Sequence, residues 1–552
     1  MCIRDSAGTY EGSTNGIIAS LATGSGLSNY DITYLPGRLT INQLNTATWT
    51  GAGINNNWST AANWANNAVP LRSNVNNVVI PAGYTVNFDA IAADNANKPT
   101  SAISNNSTLV FNLSTAFNFA NEISGAGSIN QQGSGTLTIS GRNTAYSGNT
   151  QINASRLHLA NSRALGSGSV VTSGGGLSMD SSAELPSLNI NGNVVLHSDI
   201  YTTGAQTYNG NLEIAANGNT RLETINSNIS FNGTITAGSN SKGNLRSLLI
   251  NAGTGTVTFN DRVGSDRGLY ANFNRVDTNL WTLNVRAARI EIKADIMTFE
   301  NQIYTGAVFI GNNGNNGFTR TLISVDPSIV FNGTVDDLIL NTHTLKAMAI
   351  AVDNSIIPTL EFNGDIGSTQ ALAAFTAITG TQLTTAGSQT GDIGSNRATY
   401  NGTISIKGDV TTSGDQSYTA NNIILGATGS NQLQKFTTTD NGNIDFNVGL
   451  SPNAISVKDD ASSYSLTFDL GRGSLSAATE TALAASGISY DQILPPTNIM
   501  DLLTDIKNQR SLNITDISNR DLLADVSIGV IDDAGDEVKC DSEVDEDCGV
   551  SL

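Results

Sequence analysis

Two cysteines, Cys540 and Cys548, close the chain in the stretch KCDSEVDEDCGVSL, and they are the first residues here that could do chemistry. Between Asp532 and Asp547 lie nine acidic residues against the single Lys539. A segment so charged repels itself and stays solvated, so a thiol pair within it is not core packing. The alternating acids Asp541, Glu543, Asp545 and Asp547 lack the glycine and terminal glutamate of a calcium hand. In an oxidising compartment the two thiols would close a small disulfide loop. Three histidines, His158, His197 and His343, lie far apart and none begins a metal-ligand spacing, so each is expected on a solvent-facing strand position. GSDRGLY and RAARIEIKAD carry local charge and read as solvated strand faces. GTGTVTF is followed by no Lys-Ser/Thr and no helix, so it is not a nucleotide loop. There is no nucleophile elbow, no CxxC and no Walker motif, and no metal or cofactor is expected. The chain does not read as an enzyme. Trp49, Trp58 and Trp64 fall within sixteen residues. They could form a sugar-binding platform, but indoles bury large apolar surfaces and are expected to plug the open end of a slender β-stack.

The elements that would position these residues follow from composition. Charged residues make up 13%, aromatics 6% and apolar residues 39%, and 55 Gly stand against 10 Pro. Such usage builds little helix yet leaves enough Ile, Val and Leu for a long, thin core. A net charge of −20 argues against a phosphate-backbone partner, so no nucleic acid is expected. No run of about 18 apolar residues is present, which predicts no transmembrane helix. Residues 7–40 lack a basic start followed by an apolar core, and the chain is expected to be a fragment of a longer protein.

Residues 1–6, MCIRDS with Cys2, look like translated sequencing-adapter read-through and are set aside. Residues 7–44 end with Ile32, Tyr34, Leu39 and Ile41 alternating with polar neighbours around Pro36-Gly37, a small β-domain. This phrase, NYDITYLPGRLTI, resembles the closing phrase of the MBG-type repeats of bacterial surface adhesins. Residues 45–99 hold the tryptophans and then Val78, Ile80, Tyr84, Val86 and Phe88, read as a strand pair around Pro81-Ala82-Gly83. The segment looks like one that precedes β-helical passenger regions.

From about residue 100 to 470 short apolar pairs such as Leu137/Ile139 and Leu157/Leu159 recur between Gly, Ser and Asn, the signature of stacked coils. Gly125, Gly127, Gly133, Gly135, Leu137, Asn143, Tyr146, Gly148, Thr150 and Ile152, completed by Leu165-Gly166-Ser167-Gly168, match the passenger-associated repeat of autotransporters. TTGAQTYNGNLEI (202–214) returns as TSGDQSYTANNIIL (412–425), and an aromatic followed by polar corner residues recurs at Tyr208, Phe231, Phe331, Phe362 and Tyr400. The aromatic and the following apolar residue are expected to point inward. The phrases DIYTTGAQTYNG and TTTDNGNIDF resemble the filamentous haemagglutinin-like exoproteins.

An all-β fold is expected: a right-handed parallel β-helix (solenoid) of about 15 to 18 coils of roughly 20 to 25 residues, on the order of 80 Å long. Residues 471–530 read as a second cap with short helices broken at Pro495-Pro496, and 531–552 as an acidic tail with a cysteine loop. The resemblance to the high-molecular-weight adhesins of two-partner secretion (type V) implies a secreted surface adhesin. It would be exported by an outer-membrane translocator and tethered through Cys540 and Cys548. Its receptor would be a host or bacterial surface protein or glycan. A β-helical polysaccharide lyase or glycosidase, which needs carboxylates and bases gathered on one face, and a purely structural filament are the alternatives. The triplets at Asn57, Asn106, Asn232, Asn332, Asn401 and Asn513 fit glycosylation acceptors, but turn chemistry accounts for them better.

Overall fold

The computed structural model describes residues 8–10, 39–41, 44–93 without 68 and 71–74, and 102–493 without 173, 217, 239–244, 265–278, 315–317, 326–327, 352–355, 383–397, 400–401, 427–432, 449–453 and 458–463, together with 530–531 and 537–538. The chain divides into two compact units, Met1–Gln492 and Ile493–Leu552. In the second, Val530–Ile531 pairs antiparallel with Glu537–Val538.

The first unit is an all-β parallel β-helix. Most of its strands are short, apolar at every second position, and pair parallel with the strand about one coil later in the chain. Leu109 pairs with Ile129, Ile129 with Thr150 and Thr150 with Val170, so each coil here is about twenty residues. The column continues through Ile190, Tyr208, Phe231, Phe259, Ile292 and Ile310 to Phe468. Sixteen successive rungs run from Thr85–Phe88 to Ser465–Asp469. At about 4.8 Å per rung the stack is about 70 Å tall. Two further faces complete the coil, one through Phe119, Ile139 and Leu159, another through Val78, Ile103 and Ile123.

The corners show why glycine and asparagine crowd the sequence. A Cβ on Gly148 would fall 1.8 Å from Gly127 O, and one on Gly168 would fall 1.9 Å from Gly148 O. Successive corners press backbone on backbone, and only glycine fits. Asn143 is fully buried, its Oδ1 accepting from Ile123 N (2.8 Å) and its Nδ2 donating to Ala164 O (2.7 Å). Tyr146 is buried beside it, its hydroxyl donating to Asn149 O (3.0 Å), and burial pushes its phenol up to about 12. Outside, asparagines form a ladder: Nδ2 of Asn209 donates to Asn189 (3.0 Å), that of Asn232 to Asn209 (2.7 Å) and that of Asn260 to Asn232 (2.7 Å). Asn232 is thus engaged on both amide atoms.

Inside, the rings meet in register. Tyr208, Phe231 and Phe259 stack at 5.2 and 5.4 Å, and Tyr304, Phe331 and Phe362 at 5.1 Å each. Each tyrosine heading a stack donates to a buried glutamine, Tyr208 to Gln206 and Tyr304 to Gln302, both at 2.9 Å. The glutamine amide returns to a threonine and to a backbone carbonyl of the next coil: Gln206 to Thr202 (3.3 Å) and Glu223 O (2.8 Å), Gln302 to Thr298 (3.2 Å) and Ile323 O (2.7 Å). Thr412, Gln416 and Tyr418 repeat the arrangement.

Three expectations change. Val75–Ile80 and Thr85–Phe88 are not a pair around Pro81-Ala82-Gly83: the first pairs with Leu44–Thr48 and Ala102–Asn105, the second with Thr108–Phe111. The Gly83 turn is a coil corner that passes the chain from one face to the next. Tyr84, read as part of that strand pair, lies just before Thr85–Phe88 and is 38% exposed beside the corner. His343 is not solvent-facing, as described below.

Gly8–Tyr10 pairs antiparallel with Leu39–Ile41, a separate sheet from the stack. At the other end the helix Ala477–Ala485 begins at Ser476, whose Oγ accepts from Thr479 N (3.1 Å). Leu483 buries its side chain, and Thr479 Oγ1 accepts from Phe446 N (2.7 Å), covering the last strand of one face. Ile32, Tyr34, Tyr400, Pro495 and Pro496 lie outside the described residues.

Candidate functional site

The outward positions of three adjoining strands bring together residues far apart in sequence. On Arg156–Leu159 the leucines Leu157 and Leu159 point inward, leaving Arg156 and His158 outside. Arg156 pairs with Gly176, and His158 with Ser178. Gly176 leaves room that the His197 ring takes: a Cβ there would lie 2.8 Å from His197 Nε2. Arg156 Nη2 sits 2.9 Å from His197 Nδ1. A guanidinium only donates, so Nδ1 accepts and the imidazole proton is on Nε2. Burial, and then the Arg156 charge, lower the His197 pKa, which agrees with a neutral ring.

His158 lies between Ser178 and Asp180, its Nδ1 3.0 Å from Ser178 Oγ and its Nε2 3.0 Å from Asp180 Oδ1. The carboxylate accepts from Nε2, and in the neutral ring Nδ1 then accepts from the Ser178 hydroxyl. The order hydroxyl, imidazole, carboxylate is that of a nucleophilic relay, but Ser178 is only 6% exposed and closed to a substrate. The link therefore joins two rungs rather than arming a nucleophile.

Met179 carries this group onto the next one. Its N–H donates to Ser198 Oγ (2.8 Å), and its sulfur accepts from Tyr201 N (3.4 Å). Asp199 accepts from the Tyr201 hydroxyl (3.0 Å) and from Arg221 N (2.8 Å). Arg221 Nε meets Glu223 Oε2 at 3.0 Å, and Glu223 Oε1 accepts from Asn251 Nδ2 at 2.9 Å. Burial, and then the Asp199 carboxylate, raise the Tyr201 pKa, which keeps its hydroxyl a donor. Carboxylates, arginines, imidazoles and one phenol thus share a continuous polar corner.

The other candidates are placed elsewhere. Trp49, Trp58 and Trp64 are at most 2% exposed and pack edge to face, with centroids 5.0 Å (Trp49–Trp64) and 4.7 Å (Trp58–Trp64) apart. Trp58 continues onto Phe88 (5.3 Å), so none of these three indoles offers a face to a ligand. His343 is fully buried: Asp337 accepts from its Nδ1 (2.5 Å) and from the backbone N–H groups of Ile339, Thr342 and His343. The pair fastens a loop rather than facing solvent, because the chain turns inward after the exposed Ile339 and Leu340. In RAARIEIKAD, Glu291 meets both Arg289 and Lys293 at 2.8 Å. GTGTVTF lies within the strand Arg246–Phe259. Cys540 and Cys548 lie outside the described residues.

A cleft of about 370 Å³ beside Ala90, Ala93 and Phe117 is lined by Leu113 and by the hydroxyls of Ser114, Thr115 and Ser134, without a titratable group. Among the described residues no three metal-ligating side chains gather, and no helix is long and apolar enough to cross a membrane. Sequence reasoning missed the polar corner because it treated the histidines as isolated. Written in lines of about twenty residues, His158, Ser178 and His197 fall into one column and Asp180, Asp199 and Arg221 into the next. No family model, curated protein or solved structure matches the chain.

Proposed function

We propose that the chain is the stalk of a secreted bacterial surface adhesin that attaches its cell to host cells, matrix or other bacteria. Its partner is an outer-membrane translocator, and Cys540 and Cys548 form the tether. The observation that supports this reading is the uninterrupted stack of sixteen rungs. Such a body holds a surface at a distance and repeats outward side chains along its length. Cells expressing the full-length gene with its translocator are fractionated, comparing wild type with Cys540→Ser/Cys548→Ser. Release of the double variant into the medium, with wild type retained and adherent, supports the tethered adhesin. Equal retention or equal release of both removes the tether.

The polar corner favours one other reading, a β-helical polysaccharide lyase or glycosidase. Asp180, Asp199 and Glu223 beside Arg221 are the residue types such chemistry uses. Incubation with acidic and neutral polysaccharides, followed by assay of unsaturated products and new reducing ends, decides it: turnover abolished by Asp199→Asn would replace the adhesin reading.

A further inference from the structure

We infer that the corner formed by Asp180, His197, Tyr201 and Arg221 is a binding site for a neutral glycan, which on the adhesin reading would be the group the stalk recognises. Unused hydrogen-bonding capacity defines the ligand. Asp180 spends Oδ1 on His158 and Arg221 spends Nε on Glu223. Asp180 Oδ2, the two terminal nitrogens of Arg221 and His197 Nε2 have no protein partner among the described residues. The site therefore offers one acceptor and several donors on three successive coils.

Charge narrows the ligand further. An anion would meet the carboxylates of Asp180, Asp199 and Glu223, and a cation would meet Arg156 and Arg221. Neither sign is welcomed over the whole corner. A sugar hydroxyl donates and accepts at once, and neighbouring hydroxyls on one ring satisfy such a mixed array without bringing charge. The half-buried Tyr201 ring adds carbon surface at the same place, suited to the apolar C–H face of a sugar.

The groups are also held before any ligand arrives. Tyr201 is fixed to Asp199, Arg221 to Glu223 and Glu223 to Asn251, while Arg156 holds His197. All of them stand on hydrogen-bonded rungs or their corners. Little side-chain freedom remains to be lost on binding.

The purified full chain is applied to an array of neutral oligosaccharides ending in mannose, galactose, glucose or N-acetylglucosamine, with sialylated and sulfated oligosaccharides as the contrast. Hits are quantified by titration calorimetry. The expected result is binding of a neutral oligosaccharide, weakened at least tenfold by Asp180→Asn or Arg221→Met and unchanged by Lys435→Met on a distant rung. Should Arg221→Met lower the thermal transition, Arg221→Lys, which keeps the charge but loses the fork, takes its place. No neutral binding at millimolar sugar, a preference for sulfated or sialylated members, or neutral binding that survives the substitutions would overturn the site. Adherence of cells displaying the chain is measured in parallel. Adherence without neutral-glycan binding removes this site and leaves the adhesin reading, whereas corner-dependent glycan binding without adherence does the reverse.

Discussion

The lower and upper parts of the stack solve the same packing problem differently. Between Thr108 and Ile214 the strands are two to five residues long, coils keep a period of about twenty, and corners are separate tight turns. Between Arg246 and Gln382 strands reach fourteen residues and one strand rounds a corner without stopping. The change happens at one rung: Gly218–Thr224 and Ile229–Phe231 are separate strands, yet both pair with Arg246–Phe259. The corner that Asn226 makes at φ 54° becomes a register shift at Gly253, φ 57°, with Thr254 N donating to Asn226 Oδ1 (3.0 Å). The lower region keeps its register through backbone contact at glycine corners. The upper region adds rings stacked face to face inside to glycine corners of the same kind, a Cβ on Gly306 falling 1.8 Å from Ala287 O.

That contrast can be broken from either side. Phe331→Ala removes the middle ring of the upper stack and should cost about 3–5 kcal/mol. Because each rung touches only its neighbours, hydrogen exchange should rise around residues 302–362 while the lower coils keep their protection. Gly148→Ala should cost roughly 3 kcal/mol or more, since its Cβ must displace backbone at 1.8 Å, with the loss confined to the lower coils. Gly174→Ala, at φ 117° with nothing nearby, should cost only about 1–2 kcal/mol in denaturant unfolding. Tyr304→Phe leaves a buried Gln302 oxygen unsatisfied and should cost about 1–3 kcal/mol; equal loss from Tyr208→Phe would show that the clip is equivalent in the two regions.

The smallest effect concerns Glu291. Burial works against its charge, but hydrogen bonds from Lys293 and Arg289 outweigh that and hold its pKa below the usual carboxylate value. Its folded pKa is depressed, so its contribution is present above the ordinary glutamate pKa and lost as pH falls through the lower, folded value. Glu291→Gln should therefore melt below wild type at neutral pH, and the gap should close on acidification.

The stack was legible because its signal is repetitive. Alternating Leu137/Ile139 and Leu157/Leu159, and the inward rings of Tyr208, Phe231, Phe331 and Phe362, repeat at coil spacing and are buried. The third copy of the clip, Thr298, Gln302 and Tyr304, escaped notice because Phe299 and Glu300 stand where the other two copies have a small hydroxyl residue and a glycine. Only the backbone carbonyl of the second position meets the clip, accepting from the threonine hydroxyl in all three copies, so the side chains there can vary. His343 misled because a lone histidine carries no phase; its burial depends on Asp337 and the turn between them. The polar corner needed the coil length before its columns could be read.

The ladder of Asn189, Asn209, Asn232 and Asn260 has a consequence for how the chain acquires its structure. A finished rung already presents the acceptors that the next corner must find, and the segment that finds them is the one that follows it in the chain. Ordering therefore advances from an end by short loop closures, like growth on a crystal face, with no long search for distant partners. Length can be added rung by rung at an almost constant cost in folding time.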